Sequence, residues 1–224
     1  MGIPKKELIS CHGYTHPKKL DAILQRLVQG QHLALVSDAG TPGISDPGFA
    51  LVSRIVQTLC GTGWSGAETD AMWSGAARSA DRNGSDFSGK RVPPRSTETN
   101  YNFHITPIPG PSAFLAALSA SGLPIHQFLY LGFLPIKKGR QTLLQSLPRE
   151  ERTVVFYESV HRIERTLREL AEVFADQPHR QVVIARELTK LHEEILRVTV
   201  ADLPNIASMI TKKGEFVIVI GPKM

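Results

Sequence analysis

Two loops in this chain have the composition of a ligand cradle. The first runs Asp38-Ala39-Gly40-Thr41-Pro42-Gly43-Ile44-Ser45-Asp46-Pro47-Gly48, and the second is Pro109-Gly110-Pro111-Ser112, followed by Ala113. Glycine has no Cβ, so main-chain N–H and C=O groups at Gly40, Gly43 and Gly110 can approach a bound molecule directly. Asp38 and Asp46 bracket the first loop and would repel a phosphate. No GxxxxGK[ST] lysine is present to offset them, which disfavours a nucleoside triphosphate. A ligand with a positive centre and hydroxyl or amino donors suits the loop better. Plainer roles stand beside this one: Asp46 as a helix N-cap ahead of Pro47, and Asp38 as a turn residue.

The elements that would position these loops follow from periodicity. Leu20, Ile23, Leu24, Leu27 and Val28 predict an amphipathic helix over Pro17 to Gln29, stopped by Gly30. His32 to Ser37 is a short apolar run that predicts a strand leading into the first loop, and Leu51, Val52, Ile55, Val56 and Leu59 predict a helix after it. Phe103 to Ile108 predicts a strand before the second loop, and Ala113 to Ala120 a helix beyond it. This β-loop-α rhythm places both loops at the carboxyl edge of a parallel sheet, where open α/β folds bind ligands. Further strands are expected at Phe128 to Phe133, Thr153 to Tyr157, Gln181 to Arg186, Ile195 to Val200 and Glu215 to Ile220. The last of these is apolar enough to be buried on both faces. A helical stripe at Val160, Ile163, Leu167, Leu170 and Phe174 lies between two of them. The economical architecture is two α/β domains, residues 1–122 and 123–224.

Composition narrows the class. The chain has 224 residues, 42% hydrophobic and 21% charged, with mean hydropathy −0.10, a net charge of +5 and pI near 9.3. Two cysteines, Cys11 and Cys60, cannot build a disulfide framework and fit a reducing cytoplasm. No apolar run approaches the roughly twenty residues of a membrane span. Cys11, His12 and His16 lack a fourth ligand for zinc, so no metal is expected. Residues 61–102 lose apolar periodicity and read as a disordered insertion that buries too little apolar surface to offset its ordering entropy. The Gly61-Thr62-Gly63-Trp64-Ser65-Gly66 string inside it matches GxGxxG but opens no helix.

Val36 to Gly48 resembles the signature of the ribosomal RNA small subunit methyltransferase I family, within the tetrapyrrole methylase superfamily. In the same order come Pro109 to Ala113 with Ala117 to Pro124, Gly132-Phe133-Leu134-Pro135, Phe156 to Arg162, and Ala185 to Lys190. The resemblance implies a two-domain α/β methylase that binds S-adenosyl-L-methionine between its domains. It further implies a homodimer that methylates a ribose 2'-hydroxyl of a cytidine in the rRNA of the 30S-type ribosomal subunit, in the cytoplasm. The donor-binding residues would be Asp38, Ala39, Gly40, Thr41, Pro42, Asp46, Pro109, Gly110, Pro111, Ser112 and Ala113. Against the family pattern, two early strands are missing, so the first domain reads as N-terminally truncated. A methylase of a small molecule or protein residue, or a non-catalytic remnant, are the competing readings.

Methyl transfer from a sulfonium to an oxygen needs donor and acceptor held in line, with help from a base for the hydroxyl proton. By residue type the candidates are Glu187, Lys190 and Glu158. A surface pair of Glu187 with Arg186 is the plain alternative. Lys137, Lys138 and Arg140, and also Lys190, would track RNA phosphates, or else form a solvated basic turn.

Overall fold

The computed structural model describes residues 6–12, 15–38, 40–45, 48–59 and 104–223. The expected insertion at 61–102, and Ala39, Asp46, Pro47 and Phe103, lie outside the described residues. The chain divides into two compact units, Met1–Pro109 and Gly110–Met224.

In the first unit, α1 (Pro17–Val28) and α2 (Phe49–Leu59) enclose a small core of Leu20, Ile23, Leu24, Leu51 and Ile55, with Ile9 and Cys11 against it. Pro17 occupies the first helical position and the His16 ring accepts from the Lys18 amide, so His16 caps α1. Gly30, at φ +80°, ends the helix in the left-handed conformation that such stops require. Arg54 of α2 reaches Asp21 of α1 at 2.9 Å.

The strands expected at 32–37 and 104–108 do not form among the described residues. A strand needs a neighbour for its ladder, and neither segment finds one among the described residues. Their apolar side chains stay in solvent, with Val36 80% and Ile108 77% exposed.

The second unit is built on five strands: β1 (Phe128–Phe133), β2 (Thr153–Ser159), β3 (Gln181–Arg186), β4 (Glu194–Thr199) and β5 (Glu215–Ile220). They lie in the order β1-β2-β5-β3-β4. The sheet is mixed: β1 and β2 pair parallel, while β5 runs antiparallel to both β2 and β3, and β4 antiparallel to β3. The run Phe216 to Ile220 lies between two strands with both faces covered, as its composition predicts.

Strand alternation sorts the side chains into two layers. Val154, Phe156, Val182, Ile184, Phe216, Ile218 and Ile220 face α4 (Arg140–Ser146), α5 (Ile163–Val173) and α6 (Leu203–Met209). The stripe of Ile163, Leu167 and Leu170 is the buried side of α5. On the opposite face, Val155, Val183, Ala185, Val217 and Val219 meet α3 (Ala113–Ser121) through Phe114, Ala117 and Leu118. Gly122 ends α3 at φ +77°. The helix expected in the first domain thus packs on the second unit's sheet, because its stripe has an apolar sheet face to cover.

Candidate functional site

Strand directions define one edge of the second unit. Since β1 and β2 are parallel and β5 is antiparallel to both β2 and β3, the strands β1, β2 and β3 all point their carboxyl ends the same way. That edge carries the turns after Phe133, Ser159 and Arg186.

Tyr157, near the end of β2, organises the edge. Its hydroxyl accepts a hydrogen bond from the Phe114 amide at 3.2 Å, which ties the amino end of α3 to the sheet. Its ring meets Phe114 and Tyr130 edge-on, at 6.4 and 5.9 Å between centroids, and Phe114 stacks on Tyr130 at 4.2 Å. The second Gly/Pro loop, Gly110 to Ala113, is therefore held beside an aromatic cluster at the first turn of a helix. At that turn the Ser112 hydroxyl oxygen is buried and has no hydrogen-bond partner among the described residues, and it does not cap the helix that it precedes. A buried hydroxyl without a partner loses stability, so one left open in a loop of this kind suits a ligand that completes it. Gly110 is not among the glycines with positive φ, so its use is smallness rather than backbone freedom.

The first loop belongs to the other unit. Gly40 and Gly43 adopt φ +76° and +83°, which glycine tolerates without strain, and Ser45 does so at +56°. The Ser37 hydroxyl donates to the Gly40 carbonyl at 3.2 Å, and the Ile44 amide to the Thr41 carbonyl at 3.2 Å, closing a tight turn. Gly48 permits Leu35 to lie against it where a Cβ would clash. Asp38 is exposed.

Glu187 and Lys190 sit in the turn after β3, where Glu187 and Thr189 both hold positive φ, +50° and +65°. Such strain in residues with side chains collects at functional sites. The partner of Glu187 is Lys190, at 2.9 Å, and Lys190 also reaches Glu215 at 3.0 Å. The hydrogen bond from Lys190 and that from the Glu215 amide hold the Glu187 carboxyl below its ordinary range, and Glu187 and Glu215 hold the Lys190 ammonium above its own. Both shifts favour the charged forms. They oppose a role as base for Lys190, which stays protonated, and weaken Glu187 as one. Gly214, at φ +86°, leaves the space that the Glu187 side chain occupies, a requirement that no local pattern in the sequence announces.

Two further candidates prove to be internal scaffolding. Glu158 is 1% exposed, accepting from the Thr166 hydroxyl and the Ser159 amide, both at 2.7 Å, and pairing with Arg162 at 2.8 Å. Arg140, expected on an RNA-facing surface, is 2% exposed. Its guanidinium is taken up by Glu169 at 2.7 Å, the Thr166 hydroxyl and the Pro135 carbonyl, with Glu158 at 3.8 Å, so it cannot meet a phosphate. Lys137 and Lys138 differ: both are exposed, with no ion pair among the described residues.

Comparison with known proteins decides the family. The Tetrapyrrole (Corrin/Porphyrin) Methylases model matches residues 95–204. A ribosomal RNA small subunit methyltransferase I from Xylella fastidiosa is 38% identical over 96% of this chain and 64% of its own length. A protein of the same name from Thermotoga maritima is 34% identical over 98% of this chain and 78% of its own. The chain belongs to the ribosomal RNA small subunit methyltransferase I family. It spans less than two thirds of the Xylella relative's length. The fold agrees: the crystal structure of the methyltransferase CobJ superposes with TM-score 0.54 at 20% identity, covering 92% of this chain and 70% of that one.

For this member of the methyltransferase I family, the residue most easily overlooked is Tyr157. It lies inside the Phe156 to Arg162 motif, yet its role depends on facing away from its neighbours Phe156 and Glu158, which point into the other layer. Period-2 alternation was the available signal. Nothing local links Tyr157 to Phe114, 43 positions away. Among the described residues no helix is long and apolar enough to cross a membrane.

Proposed function

We propose that this chain binds S-adenosyl-L-methionine and transfers its methyl group to the ribose 2'-hydroxyl of a cytidine in small-subunit rRNA, acting as a homodimer in the cytoplasm on the 30S-type subunit. The observation that carries the donor assignment is the Ser112 hydroxyl, buried and unpartnered among the described residues at the start of α3, in a loop that Tyr157 fixes through the Phe114 amide. Family membership supports the reaction.

The residues present fit the donor. Pro109, Gly110, Pro111, Ser112 and Ala113 would hold it from the second loop; Asp38, Ala39, Gly40, Thr41, Pro42 and Asp46 of the first loop are donor residues that the family resemblance implies. The donor supplies an electrophilic methyl on a sulfonium. A bound donor would present that methyl for in-line attack by the 2'-oxygen, the sulfur leaving as a neutral thioether and the hydroxyl proton passing to solvent water. The chain's part is placement: Ser112 completes a polar contact and the Phe114–Tyr130–Tyr157 cluster walls the loop. Glu187 and Lys190 enter as a charged pair beside the site, the carboxylate being left little basicity for taking the proton.

Calorimetry with S-adenosyl-L-methionine tests the site. Ser112→Ala should weaken binding by about tenfold, the scale of one hydrogen bond to a buried hydroxyl. Gly110→Val should abolish binding, since its branched side chain would fill the approach. Unchanged affinity in a folded Gly110→Val protein overturns the donor assignment, and absence of methyl transfer to unmodified small subunits by a donor-binding parent overturns the substrate.

A further inference from the structure

The turn after β1 is built to present an aromatic ring. Tyr130 pairs with Val155 in the register of β1 on β2, and Phe133 pairs with Tyr157, so three steps on β1 match two on β2. Gly132, at φ +60°, accommodates the irregularity. Strict alternation would put Phe133 on the face opposite Tyr130. The extra residue turns it back to the Tyr157 side, where the two rings lie 5.4 Å apart, and re-aiming a side chain is what such bulges do. Phe133 nonetheless remains 52% exposed.

The turn is also held from beneath. Arg162 donates to the Leu134 carbonyl at 3.0 Å and Arg140 to the Pro135 carbonyl at 3.2 Å, with Arg162 anchored on buried Glu158 and Arg140 on Glu169 and Thr166. Immediately beyond stand Lys137 and Lys138, exposed and without ion pairs among the described residues. An open ring beside unspent positive charge, on a turn already ordered before anything binds, has the chemistry of a single-stranded nucleic acid site: rings stack on bases and lysines neutralise phosphates.

We propose that Phe133 is the stacking platform for an unpaired base of the RNA substrate, with Lys137 and Lys138 holding the phosphates that flank it. The inference rests on the reading of this chain as an RNA methyltransferase and names how that substrate is held. Tyr157 touches Phe133 on one side and receives the Phe114 amide on the other, so a base stacked on Phe133 lies next to the loop proposed to hold the donor. Glu158, Arg140 and Arg162 act as positioning residues for the platform.

The test uses the full chain and a single-stranded oligonucleotide of small-subunit rRNA sequence carrying 2-aminopurine beside a cytidine, titrated at several salt concentrations. Stacking on Phe133 should quench the fluorophore. Phe133→Ala should abolish the quenching and weaken binding about tenfold without changing the salt slope, while Phe133→Trp should restore both. Replacing Lys137 and Lys138 together by Ala should flatten the salt slope by about two phosphates' worth and leave donor binding intact. Unchanged affinity and quenching in Phe133→Ala would overturn the platform while leaving the methyltransferase reading in place, provided the parent still methylates small subunits. A parent that binds donor but neither binds RNA nor methylates it overturns both. A Phe133→Ala protein whose oligomeric state changes while its RNA affinity does not assigns the exposed ring to a protein contact and also overturns the proposal.

Discussion

The two units hold apolar segments of similar composition that meet different fates. Phe216 to Ile220 and the run around Leu33 to Val36 are both short stretches of branched and aliphatic residues. The first is flanked by β2 and β3 and is buried along its length, whereas the second has no ladder partner among the described residues and leaves Leu33, Leu35 and Val36 exposed. Composition qualifies a segment to be a strand. Neighbours that supply hydrogen bonds and cover its faces make it one. The charges show the same contrast. Glu158 in the second unit is buried among two guanidiniums, while Glu7 in the first pairs with Arg26 in solvent.

The charge contrast can be broken most forcefully. Glu158→Ala removes the buried carboxylate that Arg162 and the Thr166 hydroxyl contact and that lies 3.8 Å from Arg140, and should cost about 3 kcal/mol in urea unfolding of the second unit. Glu7→Ala, removing an exposed and solvent-screened partner, should leave the urea midpoint nearly unchanged. Equal effects would mean that the buried cluster contributes no more than a surface pair.

The apolar contrast gives the next largest effect. Ile218→Ala, at a fully buried position of β5, should cost about 3 kcal/mol through lost transfer energy and the cavity left behind. Val36→Ala should stay within about 0.5 kcal/mol. A comparable loss at Val36 would show that the segment finds cover that the described residues do not provide.

Acid should sharpen the comparison with the smallest effect. In the second unit a hydrogen bond from Arg152 holds Glu150 at about 2. Burial pushes Glu169 upward, but hydrogen bonds from Arg140 and Arg165 outweigh it and leave that carboxyl below its ordinary range. A depressed folded-state value means that the unfolded chain binds the proton more readily. The stabilisation is therefore complete above the ordinary carboxylate range and lost as pH falls from there toward about 2. The urea midpoint of the second unit should decline across that window, and Glu150→Gln should make the decline shallower. An identical pH profile for Glu150→Gln would remove this carboxylate from the acid response.

These contrasts also show what was legible beforehand. Helix α1, strands β1, β3 and β5 and the buried stripe of α5 followed from periodicity and stop residues, because those signals are local. Arg140 was not legible. It follows Lys137 and Lys138 in what looks like one basic run, and its partner Glu169 lies 29 positions away on another helix. The same distance effect hid Gly214, whose missing side chain serves Glu187, and Tyr157, whose partner sits on α3. The loops around Gly40 and Gly110 stand out by composition, but the open hydroxyl of Ser112 and the ring of Phe133 emerge only from backbone geometry: a helix start that leaves one oxygen unused, and a bulge that reverses a facing.

The position of β5 has a consequence for synthesis. It comes last of the five strands in the chain yet sits between β2 and β3, touching both along their lengths. While the ribosome is still making residues before Glu215, β2 and β3 each present an unpaired apolar edge facing a gap of one strand's width. The parts of the carboxyl edge carried by β1, β2 and β3 cannot reach their final spacing until that gap is filled. The nascent second unit therefore passes through a stage with two sticky edges, a stage in which chaperone protection matters most, and its sheet closes in one late step when β5 emerges.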